Sequence, residues 1–205
     1  MSAETARTAD ETVLAFLERR RSVPLTQITG PGPTEAELRR LLGIAARAPD
    51  HGRLEPWRFI VYRPEAGRAI GERLAALAER RNGPMREDER ERERNRLARA
   101  PVAVGVVSTA AEHDRIPQWE QFLSAGAVAM NLVTAATAQG LAANWVTGWF
   151  CDDAQGRAII GLAPHERMAA IVHIGHCNAV IPDRPRPDVD ALITQAKAPA
   201  GEPAA

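Results

Sequence analysis

Residues 118–139 carry Phe122, Leu123, Val128, Ala129, Met130, Leu132 and Val133, apolar positions that wind around the whole circumference of a helix. Such a helix is stable only when something covers every side of it, so the fold must be built around it. A lipid bilayer is one cover, but Asn131, Thr134 and the many small residues argue against a membrane span. The other covers are the chain's own sheet and a second copy of the chain. A chain this size does not easily cover the whole helix with its own elements, which predicts a homodimer.

The remaining pattern supplies the sheet. Val102–Ser108 is β-rich and almost continuously apolar, as in a central strand with both faces covered. Residues 57–62, 143–147 and 169–173 read as further strands. Thr8-Ala9-Asp10-Glu11 fits a capping box, followed by Val13, Phe16 and Leu17 at helical spacing and a stop by Pro24. Thr34 and Glu37 fit a second box, ahead of Leu38, Leu41, Leu42 and Ala45, and Gly30-Pro31-Gly32-Pro33 before it reads as a turn. Residues 65–81 read as an exposed helix, 86–99 as a solvated helix of mixed charge, and 153–160 as a short helix. There is no repeat and no dividing linker. The expectation is one domain over 8–196 with disordered tails at 1–7 and 197–205, folded as an α+β sandwich: a mixed, mostly antiparallel sheet wrapped by helices.

Composition narrows the function. The 205 residues carry 26 basic and 26 acidic side chains, so no net field draws the chain to nucleic acid or a membrane surface. Lys197 is the only lysine and falls in the tail, which argues against Schiff-base chemistry and removes any GK[ST] phosphate loop. No GxGxxG follows a strand, so no separate dinucleotide-binding domain is expected. Cys151 and Cys177 lack metal-ligand spacing and make no disulfide framework, and no metal site is expected. No secretory apolar region opens the chain, which reads as cytoplasmic.

Three polar clusters stand out. Arg47-Ala48-Pro49-Asp50-His51 leads through Pro56-Trp57 straight into a strand. Arg19-Arg20-Arg21-Ser22 closes the first helix, and Asp183-Arg184-Pro185-Arg186-Pro187 lies near the C-terminus. Arginine offers planar, fixed donors suited to a phosphate dianion. With Trp119-Glu120-Gln121, Ser124-Ala125-Gly126, Trp145-Val146-Thr147-Gly148 and Ile171-Val172-His173-Ile174-Gly175, these motifs resemble the FMN-dependent nitroreductase family, its short YdjA-type branch in particular. The resemblance spans about Val13 to Asp190, in order and in register.

That resemblance implies a three-layer nitroreductase-like sandwich, usually an intertwined homodimer, with FMN as cofactor and NAD(P)H as co-substrate. Arg20, Arg21, Arg184 and Arg186 match positions that hold the FMN phosphate, and Ser22 matches a serine that bonds the phosphate or the ring edge. Many relatives carry a second basic residue where this chain has Pro24. Arg47 and His51 match positions that reach FMN from the partner subunit, although His51 would also serve as a cap for the following turn. Trp145, Val146 and Thr147 match residues laid along the isoalloxazine, whereas Trp57 and Phe59 read as core. Cys151, His165, His173, His176 and Cys177 form no nucleophile–base pair and read as structural, so no catalytic side chain is assigned. The implied activity is hydride transfer from NAD(P)H through flavin N5 to a small electron-poor acceptor, a nitroaromatic, quinone or similar, with acceptor contacts from loops around 81–94. The alternatives are a flavin-storing protein with little turnover and a specialised reduced-flavin enzyme of the same fold.

Overall fold

Four strands pair into one sheet in the order β1-β2-β4-β3: β1 (Trp57–Tyr62), β2 (Val102–Ser108), β3 (Ala142–Val146) and β4 (Arg167–Gly175). The computed structural model describes residues 9–196; the tails, Thr8 and Lys197 lie outside that range. All three strand pairings are antiparallel, so the sheet expected to be mostly antiparallel is wholly so. Two helices stand between β1 and β2, not the single crossover helix that sets neighbouring strands parallel. β2 is buried along its whole length, as its apolar run predicts.

The strand alternation sorts the core onto two faces. Val102, Val104 and Val106 of β2 point with Val172 and Ile174 of β4 toward α2 (Glu35–Ala45) and α5 (Gln118–Ala138), where Leu38, Leu41, Val128 and Leu132 complete one core. Ala103 and Val107 point the other way, to Tyr62, Leu74, Phe150, Ile160 and Ile171. That second core lies under α3 (Pro64–Asn82) and α6 (Ala154–Ile159). The result is the expected three-layer sandwich, with Trp57 and Phe59 packed partly buried on the α2/α5 side.

Several local readings need correction. The cap of α1 (Glu11–Arg19) is Asp10, whose Oδ1 accepts from the Thr12 and Val13 amides at 3.1 and 3.2 Å. The Thr34/Glu37 box of α2 is present as expected. α3 is no exposed helix, because Leu74, Ala75, Leu77 and Ala78 are buried along it. Its Gly71 comes so close to the backbone at Arg94 that a Cβ there would sit 1.9 Å from the Arg94 carbonyl oxygen.

The charged run after it is α4 (Glu87–Arg94), and much of its charge is spent across that contact. Arg94 meets Glu72 and Arg68 meets Glu91, each at 2.8 Å, and Arg90 pairs with Glu79. The stretch read as an acceptor loop is therefore mostly a helix knitted to α3 by ion pairs. α5 is long and apolar enough to cross a bilayer by length and composition, but here it packs on the sheet. It is covered on one side only: Trp119, Phe122, Leu123 and Met130 stay exposed, as do Val13, Leu14 and Leu17 of α1, a helix that buries no residue.

Candidate functional site

The C-terminus of α1 delivers Arg20, Arg21 and Ser22 to the outer edge of β3. The Val23 amide donates to the Ala143 carbonyl at 3.1 Å, and Asn144 Nδ2 donates back to the Val23 carbonyl at 2.5 Å. The chain thus arrives in extended form beside the strand that carries Trp145 and Val146, with Thr147 one residue beyond its end.

Onto this segment folds the C-terminal stretch. Asp183 Oδ1 accepts from Arg186 Nη2 at 3.3 Å and from the Arg184 amide at 2.9 Å, and it is ion-paired with Arg21. The Arg21 side chain is only 16 % exposed, and its pKa is lowered first by desolvation and then by the fields of Arg186, Arg184 and Arg20. Four guanidinium groups therefore converge, from the N-terminal and C-terminal parts of the chain, and Asp183 pairs with two of them, Arg21 and Arg186. Arg20 Nη1 is buried and has no hydrogen-bond partner among the described residues. A buried donor left unpaired is costly. Ser22 lies exposed beside it.

Arg47 and His51 lie elsewhere. The loop after α2 passes through three residues with positive φ, Gly52, Arg53 and Glu55, the last two in a left-handed conformation that non-glycine residues seldom adopt. Local strain of this sort gathers at binding loops. The Glu55 amide donates to Asp50 Oδ2 at 2.7 Å, and Ser124 Oγ ties the loop to α5 through the Pro49 carbonyl at 2.8 Å. His51 caps no turn: its Nδ1 sits 2.8 Å from Glu120 Oε2. Beside it opens a cleft of about 320 Å³ lined by Pro49, Asp50, His51, Glu120, Leu123 and Ser124. Arg47, at the end of α2, is exposed.

One chain does not bring the two groups together. Glu120, the partner of His51, stands in the first turn of α5, whereas α1 shares a groove with Ala135, Ala138 and Gln139 at the other end of that helix. At a rise of about 1.5 Å per helical residue, the stretch from Glu120 to Ala138 separates the two ends by about 27 Å. Asp183 and Glu120 are site residues that the sequence reading does not single out, although both sit inside motifs it quotes. No group of three His, Cys, Asp or Glu side chains suited to a metal exists among the described residues.

The family model for the nitroreductase family matches residues 17–176. The chain belongs to that family. A relative from Escherichia coli K12, named "Putative NAD(P)H nitroreductase YdjA", is 32 % identical over 164 residues, 79 % of this chain and 86 % of that one. A relative from Haemophilus influenzae with the same kind of name is 36 % identical over 154 residues, 73 % of this chain and 80 % of that one. The fold matches a nitroreductase-like family protein from Bacillus cereus with a TM-score of 0.75 at 23 % identity, over 94 % of this chain and 100 % of that one. A Bacteroides fragilis nitroreductase solved with bound FMN matches with a TM-score of 0.67 at 22 % identity, over 90 % of this chain and 98 % of that one. These matches establish the nitroreductase-like sandwich.

Proposed function

We propose that the chain is an FMN-dependent oxidoreductase that passes reducing equivalents from NAD(P)H to a small electron-poor acceptor, such as a nitroaromatic or a quinone. The observation that carries this reading is the arginine cluster with the unpartnered Arg20 Nη1, which fits a phosphate dianion on a chain of the nitroreductase family. Arg20, Arg184 and Arg186 hold the phosphate, Ser22 bonds it, and Arg21 is in part committed to Asp183. Trp145, Val146 and Thr147 line the ring. When bound, FMN supplies the hydride chemistry itself, which is why the site needs no acid–base dyad.

The protein's own work is to fix the cofactor's position and to exclude water. His51 takes part only through a second copy, since about 27 Å of α5 separates its partner Glu120 from the end of that helix beside α1, and Arg47 joins it there. An isologous pairing that sets the open faces of α5 and α1 against those of the second copy would cover Leu17, Leu123 and Met130 and deliver His51 to the neighbouring site. The two cysteines are unpaired, in keeping with a cytoplasmic protein. Mixing the yellow protein anaerobically with NADH or NADPH tests the activity. Rapid bleaching followed by reoxidation with a quinone supports it; a flavin that stays oxidised with both nucleotides would instead mark a storage protein.

A further inference from the structure

Beside the end of β3 lies a smaller and more enclosed space of about 130 Å³, lined by Leu25, Arg96, Arg99, Thr147, Phe150 and His173. A single water needs roughly 10–15 Å³ of such space, so this one has room for several waters or for one small polyatomic group. Its walls are unusual. His173 is 1 % exposed, and its Nδ1 has no hydrogen-bond partner among the described residues.

The strands on either side of His173 bring no charge to it. Its register partners are Ala103 on β2 and Asn144 on β3, and the Asn144 amide nitrogen is already bonded to the Val23 carbonyl. The charges come from the segment after α4. Arg96 is held by Glu93, whose Oε1 accepts at 2.5 and 3.1 Å and whose Oε2 accepts from Trp149 Nε1 at 3.1 Å. Arg99 has one long bond, 3.3 Å to the Arg92 carbonyl, and is ion-paired with no carboxylate among the described residues. Two guanidinium groups thus face the space with one carboxylate between them.

We infer that this cavity is a second anion site, separate from the Arg20 cluster, that takes a small oxyanion, a carboxylate or a phosphate group, with Arg99 as the principal cation and His173 as a hydrogen-bonding partner. A charge-assisted bond to Arg99 supplies what the half-buried guanidinium lacks. A neutral ligand would leave that charge unanswered, and a cation would be repelled. Burial and the field of Arg99 push His173 down to about 4, so the imidazole is neutral when the cavity holds no anion. An anion there offsets the field of Arg99 and draws a proton toward His173, so binding tightens as pH falls.

Titrating the protein as purified with sodium acetate, and separately with sodium phosphate, at constant ionic strength tests this. The readout is the ring ¹⁵N signals of His173, assigned by their loss in His173→Gln. A saturable shift with acetate identifies a carboxylate site, and one with phosphate alone a phosphoryl site. Arg99→Gln is expected to weaken the response tenfold or more, and Arg99→Lys less, with far-UV circular dichroism unchanged. Should Arg99→Gln fail to fold, unchanged binding in Arg99→Lys would overturn the assignment. It is also overturned if neither anion gives a saturable shift, or if the shift survives Arg99→Gln and vanishes in Arg20→Ala.

Discussion

Removing Arg20 tests the cofactor assignment most directly. Its Nη1 is buried without a partner among the described residues, while the neighbouring Arg21 is tied to Asp183, so Arg20 has bonding capacity left for an incoming phosphate. A hydrogen bond to a charged group contributes about 1.5–3 kcal/mol. At about 1.4 kcal/mol for each factor of ten, Arg20→Ala should weaken FMN binding roughly ten- to a hundred-fold. Titrating apoprotein into FMN and following the quenching of flavin fluorescence reads the change. Riboflavin, which lacks the phosphate, should bind parent and variant equally. Arg20→Ala combined with Arg186→Ala should cost less than the sum of the two, because both groups serve one dianion. Unchanged FMN affinity, or an equal loss for riboflavin, would reduce Arg20 to a helix-end charge.

Other outcomes follow from the same geometry. Asp183→Asn removes the carboxylate that competes for Arg21 and Arg186, so FMN should bind several-fold tighter in the fluorescence titration; weaker binding would mean Asp183 organises the site instead. Glu166 takes two bonds of 2.6 Å from Arg58, which hold its carboxyl down to about 2, against an ordinary value of about 4.3. The folded pKa is the lower one, so this stabilisation is present above about pH 4.5 and drains away as pH falls toward 2. Because Arg58 is 39 % exposed, Glu166→Gln should cost about 2 kcal/mol in urea denaturation at pH 7, less than a fully buried pair, and a smaller amount at pH 3. Gly71→Ala forces a methyl against the Arg94 carbonyl and should cost about 1–3 kcal/mol, read as a lowered Tm; an unchanged Tm would deny the close α3–α4 packing. Light scattering at micromolar concentration should return twice the 22.2 kDa chain mass, and a monomer mass would remove the route by which His51 reaches a second site.

Much of the fold is legible in the chain because hydrophobic periodicity reports burial directly. β2 shows itself by an unbroken apolar run, and α2 by Thr34 and Glu37 ahead of a spaced leucine face. The misreadings fall where burial leaves no hydrophobic mark. The first half of α3 docks through Gly67 and Gly71, whose missing side chains are the contact, and its buried Leu74, Ala75, Leu77 and Ala78 are outnumbered by charged neighbours, so it reads as exposed. The charges of α4 look solvated because nothing local shows that Glu72 and Glu79 stand opposite them. The site divides in the same way. The arginines around Arg20 and Arg184 are visible as clusters, but their convergence is a tertiary fact that only the family resemblance anticipates. The pairing of His51 with Glu120, far apart in the chain, has no local signal at all.

The strand order leaves β3 at one margin of the sheet, and the backbone of Val23 occupies part of that margin. An open strand margin invites another chain to add itself, the first step of aggregation. Here the barrier is a short strap, continuous with Arg20 and Ser22, in place of a full fifth strand. Whatever anchors those residues also keeps the margin shut. If the proposed phosphate is that anchor, its loss would reach beyond activity, loosening the strap and leaving the apoprotein the more aggregation-prone form in the cell.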